Sequence, residues 1–170
     1  MTAPTTTSAS QPPDFTKAGR SHYHAAMLAS GGELRIAADH LAGLAAECAI
    51  KAILIDFLGS RLNAYNRPFN AEVKILDRSK KKLFWTDKHG HLPELWEHLT
   101  AVANRRQSAA AGVLFAELVW KNPFADWDVG DRYCDGTAIT QQNLDRHLKA
   151  AHDLIAAHEQ ACILGTGPLV

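Results

Sequence analysis

The sequence has few cysteines, no excess of charge of either sign and no long apolar run. Its 170 residues include three cysteines, Cys48, Cys134 and Cys162, at wide spacings. That is too few for a disulfide framework, and no CxxC pair of the zinc-binding kind is present. Eighteen basic residues balance eighteen acidic ones, so the formal charge is zero. Contact with RNA or DNA would therefore need a local patch, and we expect a reduced, cytoplasmic chain.

Several sequence signals of membrane, nucleotide and metal chemistry are also missing. No segment approaches the roughly 20 apolar residues of a membrane span, and the first residues do not resemble a signal peptide. A Walker-type phosphate loop and a GxSxG elbow are absent. Nine histidines are many for this length, yet none forms the HExxH pair that places two metal ligands on one helix face. We expect no membrane contact, no metal and no cofactor.

The composition and the apolar periodicity predict one all-α domain. Residues 1–13 are mostly Thr, Ser, Ala and Pro and are expected to form a disordered tail. Residues 14–164 form the predicted domain, and residues 165–170 are a second tail. The spacing of apolar residues predicts an up-and-down bundle of four to five helices. The predicted segments are Asp14 to Gly31, Glu33 to about Leu58, one or two helices between Leu92 and Val119, and Thr140 to about Ile163.

A basic insertion at residues 59–90 separates the second and third predicted helices. It contains two β-compatible pieces, Glu72 to Leu76 and Leu83 to Thr86, so it is either a long loop or a small hairpin. Basic residues interleaved with aromatic ones can pair phosphates and stack bases. The candidate binding residues here are Lys80, Lys81, Lys82 and Trp85, and a solvated loop is the alternative interpretation.

One predicted helix carries an isolated charge pair. Glu47 and Lys51 lie four residues apart in an otherwise apolar stretch, in the favourable order for an ion pair. A buried carboxylate left unpaired costs several kcal/mol by order of magnitude. We therefore expect Lys51 to pair with Glu47, with an arginine from elsewhere as a further partner.

Four segments resemble the HEPN domains (higher eukaryote and prokaryote nucleotide-binding). They are Ser21-His22-Tyr23, the HLAGLAAECAIKAIL stretch from His40 to Leu54, His91-Leu92-Pro93-Glu94-Leu95, and Trp127 with Arg132-Tyr133. The resemblance implies a four-to-five-helix up-and-down bundle, commonly a homodimer, of bacterial toxin-antitoxin and defence systems. It also implies RNA or nucleotide as ligand and a nucleotidyltransferase-fold protein as partner.

Active proteins of that family cut RNA without a metal, using an arginine followed four to six residues later by a histidine. The matching arginine is Arg132, beside Tyr133, but no histidine follows it in residues 133–138. Arg132 has a second interpretation, in which its guanidinium reaches the buried carboxylate of Glu47 in the bidentate geometry that arginine favours.

Arg146 and His152 satisfy the spacing, with His147 directly after the arginine. In a regular helix these two side chains lie roughly 120° apart, which places His152 near the core edge and Arg146 towards solvent. The first hypothesis is a nucleotide- or RNA-interacting accessory module without an intact ribonuclease motif. The second is a metal-independent endoribonuclease that uses one of these arginines with His147 or His152. The third is a purely structural protein-interaction bundle.

Overall fold

The computed structural model of the chain is mostly helical. It describes residues 11–72, 74–77, 82–85, 88–106, 114–116 and 118–165, so most of both predicted tails lies outside the described residues. In the described residues, no helix combines the length and the apolar character needed to cross a membrane. The helices include α1 (Phe15–Gly31), α2 (Arg35–Asp56), α3 (Glu94–Arg105), the short 3-10 helix Val129–Tyr133, and α4 (Gln141–Ile163), and the described residues 114–116 are helical as well.

Side-chain caps fix the starts of α1 and α4, as the sequence predicts. The carboxylate of Asp14 accepts a hydrogen bond of 2.9 Å from the backbone N–H of Lys17. The hydroxyl of Thr140 accepts one of 3.1 Å from the N–H of Asn143. Each cap satisfies an N–H group that has no partner inside the helix. Ile139 and Leu144, on either side of the second cap, are buried in one apolar cluster.

Helix α2 lies at the centre of the described fold and packs against α1, α3 and α4. It is apolar on nearly all sides, and such a helix gains most from burial on every face. The main core cluster includes Ala46, Ile50, Ile53 and Leu54 of α2, together with apolar residues of α3 and α4. Glu47 and Lys51 of α2 are buried as well, and the ammonium of Lys51 donates a hydrogen bond to the carboxylate of Glu47 at 2.6 Å. The predicted pair is confirmed.

The insertion forms a hairpin rather than a loop. Strand β3 (Lys74–Asp77) pairs antiparallel with β4 (Lys82–Trp85). A shorter pair, β1 (Arg61–Leu62) and β2 (Pro68–Phe69), precedes it. Lys74, Leu83 and Trp85 of this hairpin are exposed.

Three buried side chains close the base of the insertion. Ser60, where it begins, lies 3.0 Å from His89 Nε2, where it ends. The Nδ1 of His89 lies 3.2 Å from Nδ1 of His98 in α3. Burial, with the charges of His98 and Lys51, lowers the pKa of His89 to about 3. Both imidazoles are therefore neutral near pH 7, because burial also lowers the pKa of His98.

The loop of residues 121–139 contains the 3-10 helix and docks on α2 through Trp127. The indole N–H donates to the backbone carbonyl of Asp39 at 3.1 Å. Its ring lies so close to Gly43 that a Cβ there would stand 2.2 Å from Trp127 Cε2. Glycine at this position allows the loop to approach α2, and the approach forms one wall of the site described next.

Candidate functional site

A cleft of about 990 Å³ opens between the first turns of α2, the 3-10 helix with the loop after it, and the start of α4. We call it the α2–α4 cleft. Its apolar lining residues include Leu34, Ile36 and Leu144. Its polar lining residues are Ser30, Glu33, Arg35, His40, Arg132, Asp135, Thr137 and Gln141.

The start of α2 borders the cleft without a side-chain cap. Its N-cap residue, Leu34, makes no side-chain hydrogen bond to the helix. The first N–H groups of any helix have no intrahelical partner, and the helix dipole adds positive potential there. The first turn of α4 borders the same cleft through Gln141. First-turn residues of both α2 and α4 line this one cavity, and N–H groups without a partner at a helix start can bind an anion.

Two arginines add full positive charges to this environment. Arg35 donates to the backbone carbonyl of Ile139 at 3.2 Å, which ties the start of α2 to the residue before the Thr140 cap. Arg132 is exposed at the end of the 3-10 helix. The carboxylates of Glu33 and Asp135 line the cleft as well. Its formal charge is therefore balanced, and an anion would be held by directed hydrogen bonds more than by bulk attraction.

His40 supplies the imidazole of the cleft. The ring is half-buried and stacks on the indole of Trp127, with centroids 6.1 Å apart and planes 10° apart. Its Nδ1 is buried and has no hydrogen-bond partner in the part of the chain that the structure describes. Burial, followed by the charge of Arg132, lowers the pKa of His40 below its ordinary value. Sequence reasoning did not select His40 as a site residue, because a single histidine near a helix start carries no spacing signal.

Arg132 does not reach Glu47, so the second interpretation of Arg132 is wrong. Its guanidinium lies 4.6 Å from the centroid of the Tyr133 ring and donates to the tyrosine hydroxyl at 2.7 Å. Glu47 instead accepts from Lys51 and lies 2.9 Å from His91 Nδ1. The loop docks near Asp39, and Glu47 lies eight residues, about 12 Å, further along α2.

Two residues of the loop 121–139 form hydrogen bonds with the guanidinium of Arg146. Its Nη2 lies 2.7 and 2.5 Å from the two carboxylate oxygens of Asp126, and its Nε donates to the carbonyl of Pro123 at 3.0 Å. Burial is the largest single effect on Asp126 and raises its pKa, but the hydrogen bonds from Arg146, His147 and the backbone, together with the charge of Arg146, leave the pKa below its ordinary value. The prediction that Arg146 faces solvent holds in part: its side chain is 37% exposed, and Asp126 and Pro123 hold its guanidinium.

His147 is buried and His152 is exposed, whereas the helical spacing predicts His152 near the core edge and makes no prediction for His147. His147 Nδ1 lies 2.6 Å from Asp39 Oδ1, and its ring stacks on Phe124 with centroids 5.0 Å apart. His152 has a side chain 60% exposed. Leu148, which precedes His152 by four residues on α4, is 9% exposed and lies at the edge of the core. Four residues rotate a helix by about 40° beyond one full turn, and this rotation moves the side chain of His152 outwards.

The hairpin residues proposed for nucleic-acid binding are partly described. Lys82 and Trp85 are exposed, the latter at 57%. The ammonium of Lys74 lies 5.2 Å from the centroid of the Trp85 ring and covers part of it. Lys80 and Lys81 lie outside the described residues.

Within the described residues, no group of three or more His, Cys, Asp or Glu side chains is arranged to hold a metal ion. Comparison of the chain with protein-family models, with curated proteins and with solved structures gives no match. The geometry of the α2–α4 cleft and the four segments that resemble the HEPN domains are therefore the observations that bear on function.

Proposed function

We propose that the protein is a HEPN-like accessory module that binds nucleotide or RNA by a phosphate group in the α2–α4 cleft. One observation supports this most: Arg35, His40 and Arg132 line a cavity that two helix N-termini also border. Guanidinium groups and helix N-termini are the donors that proteins use for phosphate. Tyr133, exposed and stacked on Arg132, adds an aromatic face beside the cavity.

The wider context of the proposal comes from the resemblance. We infer an up-and-down bundle, a homodimer, a cytoplasmic location and a role in a bacterial defence or toxin-antitoxin system. A nucleotidyltransferase-fold protein is the proposed protein partner. The contacts of α2 with three other helices support the bundle.

Binding of a fluorescein-labelled single-stranded RNA, followed by anisotropy at low salt, tests the proposal. Arg132→Gln should weaken binding about ten- to hundredfold, since a charged hydrogen bond contributes about 1.5–3 kcal/mol. Arg20→Gln is the matched control, because Arg20 is an exposed arginine that pairs with Glu159 and does not line the cleft. Equal affinity of the two variants, or no binding by the wild type, contradicts the proposal.

A metal-independent endoribonuclease is the second candidate, and one observation favours it. Arg132 and His40 line the same open cleft, so a guanidinium and an imidazole are available to one phosphate. This pairing replaces the earlier choice of His147 or His152, since His147 is enclosed by Asp39 and Phe124 and His152 lies elsewhere on α4.

Cleavage of a mixed RNA in excess EDTA distinguishes the two candidates. Under the nuclease hypothesis, His40→Ala and Arg132→Ala abolish cleavage while His152→Ala leaves it unchanged. Under the binding hypothesis, none of these proteins cleaves RNA. The third class, a purely structural bundle, requires a loop that leaves no cleft, and the cavity volume argues against it.

A further inference from the structure

The two ring nitrogens of His40 differ in their surroundings. Nδ1 is buried and has no hydrogen-bond partner among the described residues, whereas the half-buried ring lines the cavity. We propose that His40 is a neutral hydrogen-bond donor, offering Nε2–H to a phosphate oxygen in the α2–α4 cleft, and that Trp127 is its positioning residue. This inference rests on the proposed function and identifies how one residue of the cleft contributes to it.

The tautomer follows from the unpartnered nitrogen. A neutral imidazole carries its proton on one nitrogen and a lone pair on the other, while the imidazolium carries protons on both. Buried N–H groups without an acceptor are rare in folded proteins, and an unsatisfied one costs about 1–3 kcal/mol. Both the Nδ1–H tautomer and the imidazolium would place an N–H in the unpartnered position. The remaining form has its proton on Nε2.

The charges around the ring agree with a neutral state. Burial is the largest effect on His40, and the positive charges of Arg132 and His22 act in the same direction. Asp39 opposes them, but its carboxylate already pairs with His147 at 2.6 Å. Of the other charged groups that line the cleft, Arg35 and Arg132 disfavour a further proton, and Glu33 and Asp135 favour one.

Trp127 orients the ring in place of the usual second hydrogen bond. A histidine that binds a ligand through one nitrogen normally has its other nitrogen held by a carbonyl or a carboxylate. Here the stacked indole of Trp127 performs this task, and the indole is itself held by its bond to the Asp39 carbonyl and by contact with Gly43. A His40 that already carries a proton on Nε2 donates to a phosphate and does not remove a proton from a ribose hydroxyl. The inference therefore favours binding over cleavage.

The test is ring-nitrogen NMR of the full chain, uniformly labelled with ¹⁵N, at pH 7, with inorganic phosphate as the probe. His40→Gln assigns the resonances by their loss. We expect a protonated Nε2 and an unprotonated Nδ1, and a shift of Nε2 when phosphate is added. His40→Gln should weaken phosphate binding, measured from the backbone amide shifts of the first turn of α2, by about three- to tenfold.

The Trp127→Phe variant tests the positioning role. It removes the indole N–H, and we expect a mixture of His40 tautomers and a smaller phosphate-induced shift. Trp96→Phe is the matched control, because Trp96 is also buried and donates to a carbonyl, that of Val119, but does not line the cleft. Identical His40 spectra in the two variants overturn the role of Trp127.

Two further results separate failure of the inference from failure of the proposed function. A protonated Nδ1 at pH 7, or phosphate shifts at α2 and Arg132 with His40 unchanged, overturns the inference and leaves phosphate binding in place. Phosphate and RNA that shift no resonance of the cleft overturn both.

Discussion

Acid should destabilise the fold through His89 more than through any exposed histidine. The pKa of His89 is about 3 in the folded chain, against an ordinary value of 6.5. Between these values the unfolded chain binds a proton that the folded chain does not, so stability falls as pH falls. Above pH 6.5 the contribution is fully present, and it is lost progressively towards pH 3.

The magnitude is large for a domain of this size. One pKa unit corresponds to about 1.4 kcal/mol, so a shift from 6.5 to about 3 amounts to roughly 5 kcal/mol. Small domains have about 5–15 kcal/mol of total stability. The effect arises because His89, at 4% exposure, lies against Ser60 and His98 without a carboxylate among its hydrogen-bond partners in the described residues.

Urea unfolding followed by circular dichroism at pH 7.5, 6.5, 5.5 and 4.5 measures this effect. Below pH 6.5 the wild type should lose about 1.4 kcal/mol per pH unit more than His89→Gln, which has no proton to bind at this position. The exposed His24 of α1 provides the control, and His24→Gln should retain the wild-type slope. Equal slopes for the wild type and His89→Gln would refute the reasoning.

Three further predictions concern packing, buried charge and ligand charge. Gly43→Ala should lower stability by about 1–3 kcal/mol in thermal unfolding, because the new Cβ would stand 2.2 Å from the Trp127 ring; Gly31→Ala, with nothing within 4 Å, should not. Glu47→Leu should cost about 3–5 kcal/mol in urea unfolding, since it leaves the Lys51 ammonium buried without its carboxylate, and a cost below 1 kcal/mol would contradict this. RNA affinity should fall with salt at a log-log slope of about −0.7, as expected for one phosphate contact on a single strand, and a slope several times steeper would indicate a contact surface beyond the cleft.

Local features of the sequence predicted the elements of the fold and several of their ends. Asp14 and Thr140 cap helices because a short polar side chain can satisfy an N–H two or three residues ahead. The sequence predicts a central position for helix α2, because the helix is apolar on nearly all sides. Glu47 and Lys51 pair because four residues make slightly more than one helical turn. Each of these relations acts over a few residues, so periodicity and spacing reveal it.

The site depended on contacts between distant parts of the chain. His147 bonds to Asp39, 108 residues away, and its ring stacks on Phe124. These two contacts bury His147, although its position on a helical wheel does not determine whether it is buried or exposed. Arg132 joins His40 in one cleft because Trp127 docks against Gly43. Spacing along the chain selected Arg146 and His152, which the fold gives separate surroundings. The exposure, the hydrogen-bond partners and the pKa of a side chain depend on which segments of the chain lie next to it. Those segments come together because the whole core packs in one arrangement.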